Sequence, residues 1–273
     1  MPRIPAEPAV SLPQDASRNL APLRDLYRAG PLQILPQPLW KAASRLGTLE
    51  CRFVTHGGQT TGVELRQPGT FLVYGTLTGE PLAAASVKLD GVPVVWIHAD
   101  LAAPLTPWFD HRDAFVRMLH VGGDLPLKAA VPGYSVREVD LTEELPLAAT
   151  LLRASSGGSA RGMDDVMAWA RRPVVQPHAW LWAIDRTTRR PAALAVADVD
   201  TETREASLVC LEVLPDHRNR GVGTMLLQEL MGRLERMAAI TTVTLPLRMG
   251  THPDHLFSAC GFSGHTVWWR LTR

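Results

Sequence analysis

The sequence has few cysteines and no long apolar segment. Cys51, Cys210 and Cys260 are too few and too dispersed for a disulfide framework or a zinc knuckle, so we expect a protein of the reducing cytoplasm. No apolar run approaches the roughly 20 residues that cross a bilayer. The first residues of the chain also lack the apolar core of a signal peptide. These absences favour a cytoplasmic protein with no membrane partner.

An excess of charge of one sign is missing too. The chain has 28 Lys and Arg against 27 Asp and Glu, a net charge of +1. A nucleic-acid-binding protein collects basic residues on one face, so no nucleic acid is expected as a partner. A small basic patch for an anionic ligand remains compatible with this balance. At 273 residues, the chain is long enough for two domains of ordinary size.

Proline and glycine divide the chain at two places. Four prolines without any hydrophobic period predict an extended or disordered tail over residues 1–18. The pair Gly122-Gly123 together with Pro126 and Pro132 predicts a linker over residues 121–133. The sequence therefore predicts an N-terminal α/β domain over residues 19–120 and a second domain over residues 134–273.

Hydrophobic periodicity predicts a mixed α/β fold. The N-terminal domain is rich in short strands, and Trp108–Leu119 is predicted as an amphipathic helix. After the linker, the predicted order is strand, two helices, three strands, helix, strand, helix and strand. Such an order is typical of helices layered on a mixed sheet.

The most informative segment is a strand that leads through a glycine-containing turn into a helix. The strand ends at Leu214, and Gly221 and Gly223 open the helix. The first N–H groups of a helix have no partner within it, and the helix dipole adds about half a positive charge there. Glycines allow an anion to approach the backbone, and Arg218 and Arg220 add positive charge. The segment therefore predicts an anion site.

Two common phosphate motifs do not fit this segment, but a third does. Leu226 stands where the dinucleotide fingerprint needs its third glycine, and the Lys-Ser/Thr of a P-loop is missing. The run Arg218-Asn219-Arg220-Gly221-Val222-Gly223 fits Arg-x-x-Gly-x-Gly and follows Val213-Leu214-Pro215. In this motif, and in Gly261-Phe262 after a short helix, the chain resembles the GNAT superfamily of acyl-CoA-dependent N-acyltransferases. The resemblance covers Tyr134–Arg273.

The resemblance implies a GNAT-like C-terminal domain that uses acetyl-CoA as co-substrate and needs no metal. Backbone N–H groups of residues 218–224 would hold the pyrophosphate. The pantetheine arm would lie between strands Leu211–Leu214 and Thr241–Leu247, and an N–H near Leu214 would polarise the thioester carbonyl. The implied cofactor-binding residues are Val213, Leu214, Arg218, Asn219, Arg220, Gly221, Val222, Gly223 and Thr224.

Acyl transfer to an amine needs a proton acceptor. A lysine-like amine, with a pKa of about 10.4, is mostly protonated at neutral pH, so a general base is expected. Glu212 is the candidate, because strand alternation places it on the same face as Cys210. A structural salt bridge between Glu212 and an arginine is the alternative.

The proton donor of the family is missing. GNAT enzymes usually have a Tyr in the last short helix, and this chain has Phe257 there. The CoA thiolate would leave without a dedicated acid, or with help from Ser258, His255 or a water.

The resemblance implies an N-acetyltransferase that moves an acetyl group to a primary amine in a ternary complex. The alternative is an acyl-CoA-binding regulatory module with little turnover, which Phe257 favours. The N-terminal domain lacks the Arg-x-x-Gly-x-Gly motif, so it is not expected to bind a second acyl-CoA in the same way. It is either a degenerate GNAT-like half or a partner-binding domain that delivers a protein amine.

Overall fold

The chain folds into two compact units. A computed structural model describes residues 14–34, 50–67, 69–78, 89, 91–123, 130–155, 162–172, 174–201, 203–247 and 254–273. The first unit holds the described residues up to Arg112 together with Trp269–Arg273, and the second holds those within Asp113–Trp268. The predicted linker at 121–133 falls within the span of the second unit. The predicted domain limits stay a prediction.

Helices and strands follow one another in a mixed order. In the described residues the helices are α1 (Gln14–Ala29), α2 (Leu145–Ser155), α3 (Met163–Ala170), α4 (Val222–Leu234) and α5 (Asp254–Ala259). The strands are β1 (Glu50–His56), β2 (Gln59–Gln67), β3 (Phe71–Thr76), β4 (Val94–His98), β5 (His111–Val121), β6 (Tyr134–Glu138), β7 (Val175–Asp185), β8 (Pro191–Asp200), β9 (Glu205–Val213), β10 (Ile240–Pro246) and β11 (Ser263–Thr272).

The first unit is built on strands β1 to β4. Strands β1, β2 and β3 pair antiparallel in sequence order, and β4 runs parallel to β3. Helix α1 buries Leu23, Leu26 and Tyr27, which share one helical face. A Cβ on Gly75 would lie 1.6 Å from the carbonyl oxygen of Ile34, so only glycine fits there. The predicted strand-rich N-terminal part is confirmed.

The second unit is a mixed sheet with helices on both faces. Its strands lie in the order β5-β10-β9-β8-β7-β6, antiparallel except for the parallel pair β9 and β10. On β7, Trp180 and Trp182 pack with α2 and α3, whereas Leu181 and Ala183 pack with α4 and α5. Successive strand residues point to opposite faces, so a strand covered on both sides reads as a continuous apolar run.

The predicted helix at Trp108–Leu119 is wrong. The chain makes a short 3-10 turn at Thr106–Trp108 and then forms β5, which pairs antiparallel with β10. Val116 and Met118 enter the core beneath α4, and Arg117 between them is also fully buried. Burial on both faces removes the period of two from the sequence, and the remaining apolar spacing fits a helix equally well.

The predicted order of elements from Tyr134 onward is confirmed. The largest shift of a boundary concerns β7, which begins at Val175, four residues before its predicted start at Ala179. Helix α2 is predicted to start at Thr142 and begins three residues later, at Leu145. The side chain of Asp140 accepts a hydrogen bond from the N–H of Thr142 at 2.8 Å, and its carbonyl accepts from the N–H of Glu144 at 2.8 Å. Asp140 therefore closes a turn before the helix, as a residue with a short acceptor side chain does at a helix start.

Part of the segment predicted as an N-terminal tail is helical. Helix α1 begins at Gln14, inside the predicted tail of residues 1–18, and the remainder of that tail lies outside the described residues. So do residues 124–129 of the predicted linker and residues 156–161 of the loop after α2. Among the helices that the structure describes, none is long and apolar enough to cross a membrane.

Candidate functional site

Strands β9 and β10 pair over only part of their length. Their parallel register runs from Glu205 beside Ile240 to Leu208 beside Val243 and then stops, although both strands continue. On its other side, β9 stays paired with β8 as far as Val213. The two central strands therefore separate beyond Leu208, as the resemblance implied.

A β-bulge explains where the strands separate. Consecutive β8 residues Val196 and Ala197 face Cys210 and Leu208, which leaves Val209 as the extra residue of β9. A bulge bends its strand and increases the local twist. Because the bulge falls directly after the last residue paired with β10, it turns the end of β9 away from that strand.

The backbone of β9 alternates between its two neighbours. The N–H of Leu214 donates to the carbonyl of Ala192 at 2.9 Å, which directs Leu214 toward β8. By alternation, the N–H groups of Leu211 and Val213 point to the gap beside β10. The N–H of Leu214, near which the donor to the thioester carbonyl is expected, is therefore already bonded to β8. The N–H of Val213 points into the gap instead.

The N-terminus of α4 lies at the end of the turn that follows β9. Gly221 is its N-cap with φ +79°, and its carbonyl accepts the first helical bond, from Met225 at 3.0 Å. Asn219 also has a positive φ, 58°. Among the described residues, no acceptor receives the N–H groups of residues 219–224. Six consecutive donors with a helix dipole behind them suit an anion.

The two glycines of the motif have different structural roles. Gly221 provides the left-handed conformation, which a residue with a Cβ adopts only at a cost. A Cβ on the buried Gly223 would lie 3.3 Å from a methyl of Leu256 and 3.5 Å from one of Val213. The missing side chain at Gly223 therefore lets α4 pack closely on β9 and α5, a packing role that the sequence does not reveal. That Gly223 also clears a path for phosphate stays a prediction.

The two motif arginines differ as well. Arg218 donates from Nε to the carbonyl of Val213 at 3.0 Å and from one Nη to the carbonyl of Ser155 at 2.5 Å. Ser155 is the last residue of α2, where helix carbonyls lack partners. Arg220 is exposed and makes no side-chain hydrogen bond within the described part of the chain. Arg218 thus fixes the backbone near the anion site, whereas Arg220 offers an unengaged guanidinium.

The candidate base lies on the opposite face of β9 from α4. Cys210 packs with α2 and α3, while Leu211 and Val213 pack with α4, so the predicted alternation is confirmed. Glu212, opposite Leu194, follows Cys210 by two residues and shares its face. Its side chain is half-buried near the end of β9.

The aromatic residue at the usual place of the general acid belongs to the core. Phe257 is 4% exposed and packs edge-to-face on Phe262, with ring centroids 5.4 Å apart. Ser258 and His255, on the same helix, are exposed. Phe257 has no proton to give, so it fills space between α5 and the strand that follows.

A tyrosine and a histidine meet beside the anion site. The hydroxyl of Tyr134 lies 2.7 Å from Nδ1 of His217, the residue before Arg218. Sequence reasoning missed this pair, because the two residues are 83 positions apart and no local pattern joins them. The pair anchors the turn between β9 and α4 to the start of β6.

The described residues contain no group of three or more His, Cys, Asp or Glu side chains that could hold a metal ion.

Comparison with known proteins identifies the fold. Residues 149–262 match the sequence model of the acetyltransferase (GNAT) family. The structure is similar to a GCN5-related N-acetyltransferase from Sphaerobacter thermophilus, with a TM-score of 0.62 and 15% identity over 83% of this chain and 81% of that one. It is similar to a GNAT-family acetyltransferase from Colwellia psychrerythraea, with a TM-score of 0.61 and 12% identity over 93% and 97%.

A third similar structure spans almost the whole chain. It is a tandem GNAT protein from the clavulanic acid biosynthesis pathway, with a TM-score of 0.57 and 14% identity over 96% of this chain and 97% of that one. None of the curated protein sequences matches the chain with significance. The likeness to the solved structures therefore concerns the fold.

The family match includes the elements of the candidate site. It begins within α2, ends at Phe262, and contains β9, α4, their connecting turn and β10. The N-terminal strands of the chain precede it. The C-terminal half of this chain therefore carries an acetyltransferase domain of the GNAT family.

Proposed function

We propose that the protein transfers an acetyl group from acetyl-CoA to a primary amine, by direct attack in a ternary complex. One observation carries the proposal: two stretches of backbone with available donors lie end to end. The gap between β9 and β10 leads to the partnerless N-terminus of α4, so an extended thiol arm and its phosphates would meet donors along one path.

The chain would hold the co-substrate chiefly with its backbone. The N–H groups of Asn219, Arg220, Gly221, Val222, Gly223 and Thr224 would donate to the pyrophosphate, with Arg220 adding charge. Val213 would bind the pantetheine amides through the gap-facing edge of β9, and Leu214 keeps that edge in register through its bond to Ala192. Arg218 would act indirectly, by fixing Val213 and Ser155.

Glu212 is the proposed general base. It would accept a proton from the attacking amine, directly or through a water, a role worth about 10²–10⁴ in rate. The nitrogen forms a bond to the acyl carbon, the C–S bond breaks, and the electron pair leaves with sulfur. A thiol has a pKa of about 8.5, so the thiolate can depart unassisted, with Ser258 or a water as the local proton source.

The second candidate function is an acyl-CoA-binding regulatory module with little turnover. The core position of Phe257 favours it, since the domain then lacks a dedicated acid in α5. Binding of acetyl-CoA does not separate the two functions. The two functions are separated by measuring the release of free thiol from acetyl-CoA with and without a panel of amino acids, polyamines and peptides. Amine-dependent release supports transfer, and binding without such release favours the module.

We further propose that residues 134–273 form the catalytic domain, and that the preceding domain takes no acyl-CoA of its own. Cys51, Cys210 and Cys260 form no disulfide, as suits a reducing cytoplasm. Calorimetry with CoA tests whether the preceding domain binds acyl-CoA, because one site per chain is expected and two would contradict the proposal.

A further inference from the structure

Three arginines project from one tight turn. Arg186, Arg189 and Arg190 lie in the hairpin between β7 and β8, and all three are exposed. None makes a side-chain hydrogen bond or ion pair with another described residue. Over the whole chain, these arginines included, the charges nearly cancel, to a net +1. Three unengaged guanidinium groups on six residues are therefore a local excess of positive charge.

The turn is well defined. The carboxylate of Asp185 accepts hydrogen bonds from the N–H groups of Thr187 at 2.8 Å and Thr188 at 3.4 Å. The N–H of Arg189 donates to the carbonyl of Asp185 at 2.7 Å, and the N–H of Asp185 donates to the carbonyl of Arg190 at 3.0 Å. These bonds fix the backbone from which the arginines extend.

The conformation of Arg189 is unfavourable for an arginine. Its φ is 59°, in the left-handed region where glycine is at no disadvantage. A non-glycine residue in this region is uncommon, and strain of this kind is tolerated where the surrounding bonds fix the backbone.

The turn lies beside the anion site of α4. The N–H of Arg186 donates to the carbonyl of Gly133 at 2.8 Å. Two residues earlier, Val131 places a methyl 3.4 Å from where a Cβ on Gly221 would stand. One residue later, Tyr134 contacts His217 at 2.7 Å. The segment from Val131 to Tyr134 thus touches the arginine turn on one side and the α4 turn on the other.

The electrostatics agree with this proximity. The pKa of Asp185 is lowered, first by the N–H of Thr187 and in smaller part by the charge of His217. His217 is thus within electrostatic reach of the arginine turn as well as adjacent to Arg218.

Coenzyme A carries two separate phosphate groups. The pyrophosphate is the group assigned above to the N-terminus of α4, and a monoester on the 3′ position of the ribose lies beyond it. We propose that Arg186, Arg189 and Arg190 bind this 3′-phosphate and so select CoA over its dephospho form. The assignment rests on the proposed function, because the monoester reaches the turn only when the pyrophosphate occupies α4. A guanidinium suits a phosphate because it offers paired donors in a plane.

The test compares two ligands that differ only in the 3′-phosphate. Wild-type protein is titrated calorimetrically with CoA and with 3′-dephospho-CoA, and we expect CoA to bind more tightly. In the combined variant Arg186→Ala, Arg189→Gly and Arg190→Ala, the Kd for CoA should rise about tenfold, given several exposed charge pairs of modest strength. The Kd for dephospho-CoA should stay the same.

Two controls accompany the combined variant. Arg236→Ala removes the same charge just after the far end of α4, roughly 20 Å from its N-terminus at 1.5 Å per residue, and should leave both Kd values unchanged. Arg189→Gly alone should raise the thermal midpoint or leave it unchanged, because glycine relieves the positive φ, while weakening CoA alone. This result separates lost recognition from lost folding.

The outcomes are distinct. If wild-type protein prefers CoA and the variant does not, the 3′-phosphate site is supported. If both ligands bind and the variant keeps the wild-type ratio of Kd values, the inference is overturned and the proposed CoA site stands. If neither ligand binds wild-type protein, the proposed function fails, and the inference fails with it.

Discussion

Arg218 and Ser155 are joined by a hydrogen bond of 2.5 Å from the guanidinium to the carbonyl at the C-terminal end of α2. The same guanidinium holds the carbonyl of Val213, at the end of β9. One side chain therefore links the helix on one face of the sheet to the strand edge that borders the gap. Arg218 therefore supports the site indirectly, by holding the backbone at the ends of α2 and β9.

Replacing Arg218 should affect both stability and binding. Arg218→Ala leaves two carbonyls without their charged donor, and we expect a loss of about 1 kcal/mol in the free energy of unfolding. Binding of CoA and of a pantetheine fragment should weaken together, because Val213 loses its support. Urea denaturation and calorimetry measure the two effects.

Arg220→Ala is the matched control for this arginine. It removes the same charge two residues away without breaking a described hydrogen bond. It should leave stability unchanged and weaken CoA more than the fragment. Equal behaviour of the two variants would contradict the division of roles between Arg218 and Arg220.

Gly221→Glu should abolish CoA binding. A carboxylate at the N-cap places negative charge where the pyrophosphate is expected, and a Cβ at φ +79° costs roughly 1–2 kcal/mol of stability. Gly221→Asn serves as control, because asparagine tolerates the left-handed region and brings no charge. Calorimetry should show binding for the Asn variant and none for the Glu variant. Unchanged affinity in Gly221→Glu would remove α4 from the site.

Glu212→Gln should keep the affinity for acetyl-CoA and lower kcat at neutral pH by about 10²–10⁴. The deficit should shrink as pH rises, because a larger fraction of the amine is then neutral in solution. Glu143→Gln, the same exchange in the exposed turn before α2, is the control. A Glu212→Gln variant with wild-type kcat at pH 7 would leave Glu212 as a structural carboxylate.

Glu144 should make the second unit sensitive to acid. Hydrogen bonds from Arg137, from the N–H of Asp140 and from the indole of Trp182 lower the pKa of Glu144 to about 2. An unfolded glutamate titrates at about 4.3, so the stabilisation is complete above that pH and is lost as pH falls toward 2. We expect Glu144→Gln to cost about 1–2 kcal/mol at pH 7 and much less at pH 2.5.

Urea unfolding of both proteins at several pH values measures this loss. Glu143→Gln again serves as the control, and its stability should parallel wild type throughout. A constant difference between wild type and Glu144→Gln from pH 7 to pH 2.5 would show that the charge of Glu144 contributes nothing.

Local patterns in the sequence were sufficient for the elements around the site. The alternation on β9 and the glycine spacing before α4 each lie within a few residues, so the strand, the turn and the helix of the site are predicted in their observed order. The helix predicted at Trp108–Leu119 failed because burial on both faces of β5 conceals the period of two.

Contacts between residues that are far apart in the sequence could not be predicted from it. The charge of Arg218 next to a helix start predicts a phosphate ligand, whereas its fixed partner is Ser155, 63 residues away. The bulge at Val209 has no glycine or proline to mark it, although it sets the point where β9 leaves β10. Both features depend on tertiary packing, which propensity and periodicity do not encode.

A crystal structure of the protein with CoA tests the central claim most directly. We expect the pyrophosphate within hydrogen-bonding distance of the N–H groups of residues 219–224, and the pantetheine arm between β9 and β10 beside Val213. We also expect the thiol to end near Glu212. CoA bound elsewhere, with the N-terminus of α4 free of phosphate, would contradict the account.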